Sequence, residues 1–289
     1  MRKNFKIIVE YDGSHFAGWQ VQKGHTTVQG ELERAISMIL NQPVKIIGSG
    51  RTDAGVHALE QVANFHVNTD MPAENLLKGL NSIIKKPIVV KSCYTVNAEF
   101  HSRYGAISKE YHYHILNSYF PCAIGRDYVW HIKPLLDIEK MTQCCSILIG
   151  EHDFKSFEAS GSPRSHTVRT IYSTEMEYFK INDNENQDKN WIADKPTKRS
   201  WPDSATLDHE TQICFHGKEE RFSRNIVFKI RGNGFLRFMV RNIIGTIVMV
   251  GLSRITPDDF RKILEAKDRT LAGATAPARG LFLMRVNYE

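Results

Sequence analysis

The sequence predicts an α+β fold made of two similar halves. Three observations predict it: strand-like alternation and helix-like periodicity take turns along the chain, the order strand, helix, strand recurs after the midpoint, and 289 residues suffice for two ordinary domains. A hydrophobic fraction of 42% with 24% charged residues excludes wholesale disorder, collagen and coiled coil.

Phe5, Ile7, Val9 and Tyr11 alternate with Lys6, Ile8 and Glu10, giving a strand that ends at the turn pair Asp12-Gly13. Thr26 and Gln29 have capping-box spacing, and Val28, Leu32, Ala35, Ile36, Ile39 and Leu40 keep one apolar stripe at helical period until Pro43. A short strand over 44–47, a glycine-punctuated loop over 48–55 and a strand over 61–67 follow. Asp70 and Pro72 open a second helix that runs to Asn81, and 88–96 returns as a strand.

The second half repeats the grammar with a strand over 109–117, a helix over 137–149 stopped by Gly150, strands over 168–179 and 226–231, and a helix over 235–250. Thr256-Pro257-Asp258-Asp259 caps a further helix, with proline at its first position and acids at the positive end of its dipole. Residues 281–288 close as a strand. The division falls near Gly105, giving an N-terminal half, 1–105, that carries the Asp53 loop and a C-terminal half, 106–289. The latter contains a polar insertion at about 180–224, with eight basic and nine acidic residues and too little apolar surface to offset ordering entropy. It reads as an exposed, mobile loop.

Five cysteines, Cys93, Cys122, Cys144, Cys145 and Cys214, form no C-x-x-C pair and point to reduced thiols in a cytosol-like compartment. No apolar signal segment follows Met1, and the greasiest run, 243–252, is far shorter than the roughly 18–20 residues that cross a bilayer. It reads as a buried helix. A net charge of +6 and a pI near 9.0 suit an anionic partner, although a solvated basic surface accounts for charge alone equally well.

The loop over 48–58 sets Arg51, Asp53 and His57 among three glycines and two alanines. It is neither a dinucleotide fingerprint, since Asp53 stands where the third glycine belongs, nor a P-loop, since no Gly-Lys-Ser/Thr follows. One reading is a tight connection with a self-capping aspartate. The chemical reading is that the Arg51 guanidinium keeps Asp53 ionised and lowers its pKa, leaving a nucleophile or base at neutral pH. On the strand over 109–117 Tyr111 and Tyr113 share one face and His112 and His114 the other. The histidines lack a third ligand at metal spacing. The tyrosines suit core packing, and one facing a cleft suits stacking on a base. Arg237 and Arg241, four apart in an apolar helix, need an anion: a structural carboxylate, a phosphate or Asp53 itself. Arg34, Lys78, Lys85, Lys86, Arg103, Arg126 and Lys133 are scattered and read singly as solvated.

At Gly50-Arg51-Thr52-Asp53-Ala54-Gly55-Val56-His57-Ala58 the chain resembles the signature of the tRNA pseudouridine synthase A (TruA) family. Tyr11-Asp12-Gly13, Phe16-Ala17-Gly18-Trp19-Gln20, Phe100-His101-Ser102-Arg103 and Lys109-Glu110-Tyr111-His112-Tyr113 resemble its earlier blocks. Gly150-Glu151-His152-Asp153-Phe154 with Ser156-Phe157, Met239-Val240-Arg241-Asn242 and Gly280-Leu281-Phe282-Leu283 are similar to the later ones. The order holds from about residue 5 onward, outside the insertion.

The resemblance implies a pseudouridine synthase fold, with largely antiparallel sheets of two α+β halves joined across a central basic cleft, in a homodimer. It implies Asp53 as the catalytic aspartate and Tyr111 as the ring packing on the target base. Arg51 would help extrude the nucleotide and contact Asp53, Arg241 would lie beside the carboxylate, and Leu281 would form part of an apolar wall. The implied reaction turns uridine into pseudouridine at positions 38–40 of the tRNA anticodon stem-loop, in the cytoplasm, with neither cofactor nor metal. The rival is a catalytically silent tRNA-binding module using the same cleft; against it, a carboxylate facing a polyanion opposes affinity. Two departures stand out: the family has a short connection where the insertion falls, and 165–169 lacks the proline often found before the arginine at Arg169.

Overall fold

Period-two alternation puts Phe5, Ile7 and Val9 on one face of β1 (Arg2–Tyr11), where all three are fully buried. The computed structural model describes residues 2–161, 166–180 and 222–288. Helix α1 (Val28–Leu40) buries Val28, Leu32, Ala35 and Ile36, as its stripe predicts. Its cap is Thr27 and not Thr26: the Thr27 hydroxyl accepts from Gly30 N–H at 3.3 Å, while Gln29 turns inward to Glu33 and the Ile46 carbonyl. Asn41, left-handed at φ 49°, ends the helix before Pro43 is reached.

The expected strand over 44–47 shrinks to β2 (Ile47–Gly48), and β3 (His57–Asn68) begins four residues earlier than its apolar pattern suggests. Helix α2 (Ala73–Ile83) starts after Pro72, and β4 (Ile88–Val96) follows it. Strands β5 (Ser108–Ser118) and β6 (Trp130–Ile132) precede α3 (Ile138–Leu148), whose cap Asp137 accepts from Lys140 N–H at 3.0 Å. Two short strands, β6 and β7 (Gly150–Asp153), carry too few residues to show periodicity.

Strands β8 (Val168–Lys180) and β9 (Ser223–Gly232) pair antiparallel as far as Lys180↔Arg224. Most of the expected polar insertion, 181–221, lies outside the described residues. Helix α4 (Met239–Gly251) starts four residues later than expected, because Phe238 takes a left-handed φ of 63° that a helix interior forbids. Helix α5 (Pro257–Ala266) has the predicted cap, in which Thr256 and Asp259 form a capping box, and β10 (Leu281–Asn287) closes the fold. No helix among the described residues is long and apolar enough to cross a membrane.

The strands form one sheet in the order β4-β1-β3-β10-β5-β9-β8-β7, with β2 on β3 and β6 on β5. Pairing is antiparallel except at β5–β6 and at the seam where β10 runs parallel to β3 through Phe282↔His57 and Leu283↔Ala58. On its other edge β10 sets Leu283 opposite Tyr111 and Leu281 opposite Tyr113. That seam joins the strand following the Asp53 loop to the strand carrying Tyr111.

Candidate active site

The Asp53 loop is held on several sides. Trp19 N–H donates to the Thr52 carbonyl at 3.1 Å, and the hydroxyls of Tyr11 and Thr52 share a bond of 2.8 Å. Gln61 Nε2 donates to the Gly50 carbonyl at 3.1 Å, and Lys109 Nζ to that of Ser49 at 2.7 Å. Gly55, at φ 77°, makes the turn that lets Val56 N–H reach back to the Asp53 carbonyl at 3.1 Å. Gly13 lies so close that a Cβ there would stand 2.1 Å from the Val56 carbonyl oxygen. The blocks Tyr11-Asp12-Gly13 and Gly18-Trp19 thus act as a cradle for the loop.

A second set of contacts fixes where the loop enters β3. The buried His57 imidazole lies 3.1 Å from Asp12 Oδ1 through Nδ1 and 3.2 Å from the Arg279 carbonyl through Nε2. Its ring stacks on Phe282 at 4.6 Å, and Tyr128 donates its hydroxyl proton to Asp12 Oδ2 at 2.8 Å. Burial opposes the Asp12 charge, yet hydrogen bonds from His57, Ser14 and Tyr128 hold this carboxyl well below the usual range.

The Asp53 side chain is 25% exposed, and its Oδ2 lies 3.5 Å from Arg241 Nη1. Burial pushes its carboxyl above the ordinary value, against the attraction of Arg241 and then Arg237. This corrects two sequence expectations. The adjacent guanidinium belongs to Arg241 and not to Arg51, whose exposed side chain turns away to donate Nε–H to Gln20 Oε1 at 3.0 Å. Desolvation outweighs the cations, so the shift is upward and not downward. Residues two apart in a loop need not share a side, which is why sequence adjacency misassigned the partner.

Tyr111 is 8% exposed and packs edge-on against Phe235, with ring centroids 5.1 Å apart. Burial raises its phenol, and Tyr11 and the Asp53 charge raise it further, so it keeps its proton at neutral pH. Its hydroxyl makes no hydrogen bond among the described residues. Tyr113, on the same face, is the core member of the pair: fully buried, it donates to the Pro277 carbonyl at 2.7 Å. Leu281, 5% exposed, shares that face across the β10–β5 ladder. Arg241 is fixed by its Nε–H to the Ala276 carbonyl at 2.7 Å. His112 meets Glu110 at 2.7 Å.

Asp53, Tyr111 and Arg241 therefore converge from three separated segments. Sequence reasoning did not assign roles to Tyr128, Trp19, Thr52 or Arg279; for the first and last, nothing local in the sequence announces a partner more than a hundred residues away.

Known proteins resemble the chain over nearly its whole length. The family profile described as tRNA pseudouridine synthase matches residues 7–105 and 144–289. The chain is 42% identical over 286 residues to tRNA pseudouridine synthase A of Thermoanaerobacter sp. (strain X514), covering 99% of this chain and 100% of that protein. It is 39% identical to the tRNA pseudouridine synthase A of Exiguobacterium sp. (strain ATCC BAA-1283 / AT1b), covering 99% and 98%, and 36% identical to that of Lacticaseibacillus casei (strain BL23), covering 99% of each.

Proposed function

The chain belongs to the tRNA pseudouridine synthase family, and from that membership we propose that it isomerises uridine to pseudouridine at positions 38–40 of the tRNA anticodon stem-loop. The observation that carries the proposal is a largely buried carboxylate, Asp53, at 3.5 Å from the Arg241 guanidinium and close enough to Tyr111 to raise its phenol. A module that only bound RNA would gain nothing from an acid there.

The isomerisation breaks the bond between ribose C1′ and uracil N1 and forms one between C1′ and C5; N1 gains a proton and C5 releases one, so no net oxidation occurs. The target base must first leave its stack, at a cost of about a few kcal/mol. In this reading the Tyr111 ring receives the unstacked uracil and Leu281 closes the apolar side. Asp53 supplies the electron pair that starts glycosidic cleavage. Its partial dehydration strengthens it, and Arg241 keeps enough of it ionised to act. Tyr111, holding its proton, serves as a stacking surface and hydrogen-bond donor in the resting enzyme. In this reading Arg51, free of Asp53, pushes on the RNA strand as the base leaves.

The two halves, 1–105 and 106–289, furnish opposite walls of a basic cleft: Asp53 from the first, Tyr111 and Arg241 from the second. We assign the protein to the cytoplasm, where its tRNA substrate is, and to a homodimer. The test is to incubate anticodon stem-loop RNA with the wild type and with Asp53→Asn, assaying pseudouridine chemically and binding separately. The wild type is expected to convert its uridines, and the variant to bind as well yet react on the order of 10⁴-fold more slowly. Wild type that binds and leaves every uridine intact overturns the enzyme in favour of a silent tRNA-binding module.

A further inference from the structure

A cavity of about 240 Å³ lies beside the Asp53–Arg241 pair and takes no part in the chemistry above. Phe238 connects the two: its ring centroid is 4.9 Å from the Arg241 guanidinium and 4.8 Å from that of Arg237, which lines the cavity. Ser160, Asn242, Arg269 and Thr275 complete the polar part of the wall, which contains no carboxylate.

Arg269 is built into this wall. It donates to the Ala272 carbonyl at 3.1 Å, to Asn242 Oδ1 at 3.1 Å and to Thr275 Oγ1 at 3.3 Å. Asn242, fully buried, is itself fixed by donating to the Phe157 carbonyl at 2.8 Å. Every one of those partners is neutral. Among the described residues neither Arg237 nor Arg269 forms an ion pair with a carboxylate. Burial therefore disfavours the Arg269 cation with nothing of opposite charge to offset it. Helix α4 starts at the same point without a side-chain cap, so its positive end adds to the deficit.

What fits is a small anion with several acceptor oxygens, for which a planar guanidinium fork and neighbouring hydroxyls are matched. The volume falls below the roughly 300 Å³ at which pockets for whole small molecules begin, so a single group enters and not a nucleoside. We propose that this cavity seats one backbone phosphate of the RNA strand beside the target uridine, gripping the nucleotide through its neighbour while its base enters the Asp53 site. The inference rests on RNA being the substrate and goes further by naming the group held and the residues that hold it.

The test compares wild type with Arg237→Gln, because Arg269 also knits Asn242 to Thr275 and its loss could unfold α4; thermal melting checks that the variant is intact. Binding of anticodon stem-loop RNA is measured over a salt series and over a scan in which each loop phosphate in turn is a neutral methylphosphonate. The slope of log affinity against log salt is expected to become shallower by about one in the variant. In wild type, one methylphosphonate position is expected to cost about tenfold in affinity, and to cost little in Arg237→Gln. Equal slopes, with the same penalty at every position in both proteins, overturn the proposal. Protection of wild type by inorganic phosphate, with a flat methylphosphonate scan, also overturns it and makes the cavity a free-anion site. Pseudouridine yield is read on the same RNA. A coupled phosphate without product leaves the seat standing and removes uridine isomerisation; product without a coupled phosphate does the reverse.

Discussion

Arg241 faces Asp53 from a fixed position: its guanidinium lies 3.5 Å from the carboxylate while its Nε–H is committed to the Ala276 carbonyl at 2.7 Å. A cation anchored in this way cannot swing to solvent, so it opposes the desolvation that pushes Asp53 upward. In Arg241→Gln that opposition is lost and the carboxyl rises further. Because the ionised form reacts, activity is lost as pH falls through the raised value, and the acidic limb of the kcat profile should move to higher pH in the variant. At neutral pH a loss on the order of 10²-fold is expected. A limb that stays put or moves to lower pH shows that Arg241 does not tune Asp53.

The Tyr111 hydroxyl has no protein partner among the described residues, while its ring packs on Phe235. Tyr111→Phe should leave the melting temperature and RNA affinity nearly unchanged and lower kcat by about 10²-fold. Full activity in this variant would reduce the residue to a stacking surface.

Gly13 leaves no room for a side chain against the Val56 carbonyl. Gly13→Ala should destabilise the protein by about 1–3 kcal/mol and displace the Asp53 loop, so that kcat falls more than RNA affinity does. Melting curves and single-turnover rates separate the two effects. Unchanged values for both would mean that the loop yields without consequence.

Asp12 is held ionised by His57, Ser14 and Tyr128. A carboxyl depressed in the folded state contributes stability that is fully present above its unfolded value, about 4, and is lost as pH falls below it. Asp12→Asn should therefore be less stable than wild type at pH 7, with the gap closing in acid. A gap independent of pH would argue for shape and not charge.

The α+β class, the α1 stripe, the α5 cap and the buried run in α4 were legible because each rests on local periodicity or on a cap a few residues long. Helix α4 began late since Phe238 is bent out of helical geometry by its setting, which no propensity reports. Motif resemblance singled out Asp53, Tyr111 and Arg241, yet the pairing of Asp53 with Arg51 failed because it took neighbours in the chain for neighbours in space. Of the two arginines four apart, Arg241 in α4 did meet an anion, Asp53, while Arg237 lies just ahead of that helix. That Arg241 would face Asp53 and Arg237 an adjacent cavity depended on side-chain direction.

The two-rung seam of β10 on β3 bears on how the protein is made. Asp53 precedes β3 and Tyr111 belongs to β5, and these two strands are joined through β10, which lies between them and pairs with both. A nascent chain that has completed α5 holds Asp53, Tyr111 and Arg241 but leaves the acid and the phenol unregistered with respect to each other. Synthesis order thus delays competence: ribosome-bound intermediates can collapse and even attract RNA before residues 281–287 emerge, yet only their arrival aligns the two sides.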